Sequence, residues 1–278
     1  MKHKSFIYVT LLAAIFISSV ACSQTKKQSG IHFLPADKSN VSIFIVLDEL
    51  PKQFFLYTVP EIFTLQEVNE GLFNADLKPW SIKGNTAKRK VANKFFEYNV
   101  MMTLHEEANV SELRWTISFK NKSEFTLKDL NAFNCLTMDR APMFKDTVME
   151  RTFVRNEAGK IIKLQDVERV TGNGRRTMQF YPAVGGVDDL AKIPWITGWN
   201  VTSPAKLSGK SMWVESLNGD WRVETTVNEQ PAYFFNNWEP DHGCIHSSPL
   251  LSRELPAGQT AEASGSFKFI KLNNSQRN

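Results

Sequence analysis

His242, Cys244 and His246 alternate through Asp241-His-Gly-Cys-Ile-His-Ser-Ser-Pro249. If this stretch is extended, the three side chains share one face, because successive side chains of a strand point to opposite sides. Imidazole titrates near neutral pH and can give or take a proton, so such a face suits acid–base work on a polar substrate. Two imidazoles and a thiol are also part of a zinc or copper ligand set. A closed metal site wants a further ligand. Asp241, His105 or His32 would have to supply it, and nothing in the sequence brings those two histidines near. A plainer alternative pairs Cys244 with Cys135 and leaves the histidines hydrogen-bonded to backbone or solvent.

Asn134 to Arg140 forms a second cluster, with Cys135, Asp139 and Arg140. A Cys135–Cys244 disulfide would draw Asp139 and Arg140 towards the histidines, where Arg140 could hold a carboxylate in bidentate geometry. In the chain-entropy picture a bridge over so long a loop contributes about 4–5 kcal/mol. Glu215, among aromatic residues before the Asn218-Gly219 turn, is either a general base or an outward-facing strand residue. Trp199 and Trp238 are expected in Gly/Asn/Pro-rich loops, and with Asn236 they offer flat faces and an amide to a sugar. The candidate catalytic residues are therefore His246, His242, Glu215, Asp139 and Arg140. The candidate carbohydrate contacts are Trp199, Trp238 and Asn236. No Gly-x-Ser-x-Gly elbow supports a serine nucleophile. No cofactor and no resident metal is expected. The metal-binding module built on His242, Cys244 and His246 is kept as an alternative.

The elements that would position these groups read as β-strands. Phe96, Tyr98, Val100, Met102 and Leu104 alternate with Glu97, Asn99, Met101 and Thr103, and Leu113, Trp115, Ile117 and Phe119 repeat the pattern after a polar break. These two runs predict adjacent antiparallel strands. Asn218-Gly219 is the strongest turn signal, joining Ser211–Ser216 to Trp221–Val227. Further strands are expected at 42–47, 53–59, 125–135, 148–154, 161–164, 166–170, 177–181 and 261–272. Short helices are expected at 65–73 and 187–191, and a long polar loop at 78–90. The fold class is all-β: a large antiparallel β-sandwich with few short helices.

The N-terminus addresses the protein. Lys2 and Lys4 precede an apolar run from Phe6 to Val20, too short for a comfortable membrane span and suited to a secretory signal. Ser19-Val-Ala-Cys22 resembles a bacterial lipobox, with Ser19 where Leu or Val is usual. Residues 1–21 are read as the signal peptide, Cys22 as the lipidated residue, 22–30 as a polar tether and 31–278 as one domain. Several acyl chains on one cysteine hold a protein firmly on a membrane. By resemblance to enterobacterial sorting, Ser23 favours the outer membrane, with the domain facing the periplasm. Removing Lys2 and Lys4 from the 33 basic residues, against 29 acidic ones, leaves a charge of about +2. Short basic runs such as Lys88-Arg-Lys90 make no phosphate-tracking stripe, so nucleic acid is not an expected partner.

Leu113 to Ser123, Asn131 to Cys135 and Leu255 to Gln259 together resemble the galactose-mutarotase-like supersandwich class, over some 160 residues. Cys244 to Pro249 is similar to uncharacterised secreted proteins of Bacteroidetes and planctomycetes. The first resemblance implies a sugar ligand and epimerase- or lyase-like acid–base chemistry. That class carries a catalytic histidine near the first of these strands, where this chain has Asn134 and Cys135. The role would pass to His242 or His246. The expected function is a membrane-anchored periplasmic lipoprotein that binds or modifies carbohydrate. The alternatives are a non-catalytic structural or assembly lipoprotein of the envelope, or the metal-binding module.

Overall fold

The computed structural model describes residues 30–36, 42–66, 79–170, 178–199 and 201–273. Cys22, the leader and all of the tether but Gly30 lie outside them, as do most of the expected helix at 65–73 and residue 177 of the expected strand at 177–181. The described strands are β1 (Ile31–Pro35), β2 (Ser42–Leu47), β3 (Phe54–Thr64), β4 (Ser81–Lys83), β5 (Thr86–Ala92), β6 (Phe96–Glu107), β7 (Val110–Asn121), β8 (Leu127–Arg140), β9 (Thr152–Asn156), β10 (Ile161–Lys163), β11 (Met178–Pro182), β12 (Leu207–Glu215), β13 (Trp221–Val227), β14 (Pro231–Glu239), β15 (His242–Leu255) and β16 (Thr260–Lys271). They form two antiparallel sheets. One has seven strands in the order β1-β2-β3-β8-β15-β14-β11. The other has nine, in the order β10-β9-β12-β13-β16-β7-β6-β5-β4.

Alternation accounts for the nine-stranded sheet. Along β6 and β7 the even numbers of one strand and the odd numbers of the other are buried, so one face meets the core and the other meets solvent. Gly219 adopts φ 71° at the tight connection of β12 and β13, which the Asn-Gly pair anticipates. Gly265 is needed for a different reason: a Cβ there would lie 2.3 Å from the Trp115 ring.

Between the sheets, aromatic side chains of β3 meet those of the opposite sheet edge to face. Phe55 meets Phe269 at 4.9 Å, Tyr57 meets Phe267 at 4.1 Å, and Phe63 meets Phe119 at 4.7 Å. Such pairs add about 0.5–1.5 kcal/mol each beyond their buried area. They fix which face of β3 points inward, and hence which face of the seven-stranded sheet is left to carry a site.

That outer face is not bare. A second apolar cluster of Ile62, Phe133, Phe180, Val187, Leu190, Ile193, Ile196, Tyr233 and Phe235 lies on it. Its cover is the segment running through a 3₁₀ turn at Leu190–Lys192 into the short helix α1 (Pro194–Trp199). The expected helix at 187–191 is therefore displaced towards the C-terminus. The loop expected at 78–90 is instead the β4–β5 hairpin, held by β6 at one flank. Its apolar positions are few because it closes the sheet edge. No strand forms at 166–170, where a 3₁₀ turn at Leu164–Asp166 is followed by irregular chain.

Candidate functional site

The outer face of the seven-stranded sheet carries a cavity of about 550 Å³. Its floor is built by strand register. Cys244 of β15 pairs with Thr137 of β8 on one side and with Asn237 of β14 on the other. One step along the same ladder, His246 pairs with Phe235 and stands beside Cys135, which in turn pairs with Thr58 of β3. His242, Cys244 and His246 all line the cavity, as an extended 242–246 requires.

The imidazole of His246 is clamped. Phe133 stacks on it at 4.1 Å and Phe235 meets it edge-on at 4.8 Å. Its Nε2 lies 3.1 Å from Cys244 Sγ. Cys135 Sγ lies 3.2 Å from Thr137 Oγ1. The thiols of Cys135 and Cys244 and the ring of His246 bring one ligand atom each within 4.8 Å of one another.

Electrostatics divides the two thiols. Hydrogen bonding to Cys244, then burial, pushes the Cys135 thiol well above its ordinary value. Burial also works against ionising Cys244. Hydrogen bonds from Cys135, His242 and His246 outweigh it and hold this thiol well below the usual range. His242 is raised to about 9, first by its hydrogen bond to the Cys244 sulfur, with burial opposing and Asp139 adding to the rise. Asp139 also fixes the strand entry: its Oδ2 is 2.9 Å from His242 Nδ1, and its Oδ1 accepts the Gly243 N–H at 2.6 Å.

Glu61 completes the wall. Between the Thr58–Cys135 and Ile62–Phe133 pairs, β3 has two more residues than β8. Pro60 lies in this bulge and has no N–H to give the ladder. As a result two successive residues, Glu61 and Ile62, both face the cavity. Glu61 opens onto the cavity on one side and is crowded by protein on the others. Burial raises its carboxyl pKa, His246 and His242 oppose the rise, and its hydrogen bond with Cys135 ties it to the thiols.

Several sequence expectations land elsewhere. Cys135 and Cys244 are brought together but are free thiols, not a disulfide. They occupy diagonal positions on neighbouring strands, where Cα atoms are typically about 7–8 Å apart, beyond ordinary disulfide reach. Arg140 does not enter the cavity. Its guanidinium sits 5.3 Å from the Phe44 ring beside a smaller hollow shared with Asp139. Glu215 belongs to the nine-stranded sheet and pairs with Arg222 at 2.8 Å across β12 and β13. Asn236 and Trp238 are fully buried on the inner face, because the cavity takes the odd-numbered residues of β14, Phe235 and Asn237. The side chain of Trp199 lies outside the described residues. Trp195, five residues from Leu190 and on α1, is the tryptophan that lines the cavity, set against Phe133 at 5.2 Å.

No protein-family model matches the chain, and no curated protein matches it in sequence. Solved structures similar to it include Slr1438 of Synechocystis sp. PCC 6803, at TM-score 0.46 and 9% identity over 88% of this chain and 97% of that one. A putative aldose 1-epimerase of Escherichia coli K12 is similar at TM-score 0.43 and 11% identity, over 87% and 100%. A galactose mutarotase related enzyme of Lactobacillus acidophilus is similar at 0.44 and 10%, over 87% and 99%. None of these likenesses carries a site residue to this chain.

Proposed function

We propose that this protein binds a carbohydrate in the cavity on the outer face of the seven-stranded sheet, and that Cys22 anchors it by lipid to the outer membrane with the domain facing the periplasm. The cavity itself supports the first part. Half-buried Trp195 supplies an apolar face beside the buried rings of Phe133 and Phe235, while Glu61, Asn237, Thr58 and His242 surround it with hydrogen-bonding groups. Its volume lies in the range of small-molecule sites, about 300–1,000 Å³. Sugars ask for both surfaces at once: C–H faces that pack on aromatic rings and hydroxyls that need directed partners.

The test is calorimetric titration of monosaccharides and glycan-array binding with wild type, Trp195→Ala and Asn237→Ala. We expect wild type to bind at least one sugar class and each variant to lose about 5- to 150-fold, since one such contact is worth roughly 1–3 kcal/mol. Wild type silent on every glycan would sink the proposal. The anchor is tested by radiolabelled palmitate incorporation and membrane fractionation. Cys22→Ser should lose the label and release the protein, and an unlabelled wild type would end that part.

A further inference from the structure

We propose that Cys135, Cys244 and His246 form a zinc site whose fourth position opens into the cavity towards Glu61. Three observations carry it. The first is proximity: the three ligand atoms lie within 4.8 Å of one another, with Cys244 Sγ and His246 Nε2 at 3.1 Å. A tetrahedral zinc with Zn–S near 2.3 Å and Zn–N near 2.0–2.1 Å places its ligand atoms about 3.6–3.8 Å apart. That spacing lies between the 3.1 Å of the Cys244–His246 pair and the 4.8 Å that bounds the three atoms.

The second is rigidity. The ligands stand on β8 and β15, two central strands of the sheet. The imidazole is further held between Phe133 and Phe235. A constellation on central strands, with its ring locked by packing, is placed more tightly than one on loops. The third is donor type. Two sulfurs and one imidazole discriminate against magnesium and calcium, which prefer oxygen, and suit a borderline-soft ion without geometric demands of its own.

Three protein ligands with an open position is the arrangement of catalytic rather than structural zinc. The open side here faces a carboxyl and an aromatic-lined cavity. The occupant of that position is then an oxygen of the bound sugar or of water. This last step rests on the carbohydrate proposal, whereas the zinc site stands without it.

The experiment uses the purified full-length chain under reducing conditions. Zinc is counted per chain by elemental analysis, and Co²⁺ replaces it as a spectroscopic probe. We expect one metal per chain and a cobalt spectrum with thiolate-to-metal charge transfer and tetrahedral ligand-field bands. Cys135→Ser, Cys244→Ser and His246→Ala should each weaken zinc by more than the roughly 10- to 100-fold that loss of a supporting outer group costs. His105→Ala, on the far sheet, should not. Alkylation of the wild type needs no variant to fold: zinc should slow the labelling of both cysteines.

A reduced wild type that takes up neither ion, a cobalt spectrum without thiolate bands, or labelling rates indifferent to zinc overturns the site. Sugar titrations with and without a chelator separate the two proposals. Zinc bound with no sugar bound leaves the site and removes the carbohydrate. Sugar bound equally with and without zinc leaves the carbohydrate and removes the fourth ligand.

Discussion

The two sheets use their outer faces differently. On the nine-stranded sheet the outer face is wet, and burial in β6 and β7 alternates residue by residue. On the seven-stranded sheet both faces are covered at the centre, and β8 and β14 are buried at nearly every position. The first sheet closes the core and leaves an open hollow of about 680 Å³ on its wet face, lined by charged and polar side chains such as Lys88, Lys90, Glu229 and Glu262. The second closes the same core and holds a cavity behind it. Away from their register shifts, a side chain in β8, β14 or β15 is thus committed by its parity to the core or to the outer face. Ile245 packs in the core while Cys244 and His246 face the cavity.

This contrast can be broken by mutation, and the largest effects should fall on the seven-stranded sheet. Trp238→Ala on its inner face and Phe133→Ala on its outer face should each cost about 3–5 kcal/mol in denaturant unfolding, because both rings are buried. If Phe133→Ala costs under about 1 kcal/mol, the outer face is not a second core. Gly243→Ala comes next. Its Cβ would lie 2.9 Å from Trp238 Cζ3, so the variant should lose about 1–3 kcal/mol and shift the His242 and Cys244 positions, read as weaker sugar and zinc binding. Glu215→Gln should cost about 1 kcal/mol through its pair with Arg222 and leave ligand binding unchanged. Altered sugar affinity there would mean the sheets are coupled. Smallest of all, Thr116→Ala on the wet face should stay within about 0.5 kcal/mol.

The same contrast decides what the sequence discloses. Where one face is wet, the apolar period announces the strand, and β6, β7, β12 and β13 are readable with their turn. Where both faces are buried, period two vanishes. The run Pro231–Trp238 is apolar or amide throughout, so Trp238 reads as a loop residue where the structure has strand β14, and it is Phe235 and Asn237, not Asn236 and Trp238, that face the cavity. A one-residue shift in parity moves every side chain across the sheet. Glu61 was hidden for another reason: only the bulge after Thr58 turns it and Ile62 to the same side. Pro60 in an otherwise apolar strand was the available signal. Glu215 stands away from the cavity because it, Trp213 and Trp221 all belong to the nine-stranded sheet, and local sequence does not show which sheet a strand joins. The 242–246 alternation was legible since three chemically distinctive residues mark one face regardless of what covers the other.

The diagonal placement of Cys135 and Cys244 bears on how the protein ages. β15 is laced to both β8 and β14, so the ladders hold the two thiols in that relation. A bond between diagonal positions would have to be closed against those ladders, so the register of the sheet sets how readily the pair oxidises.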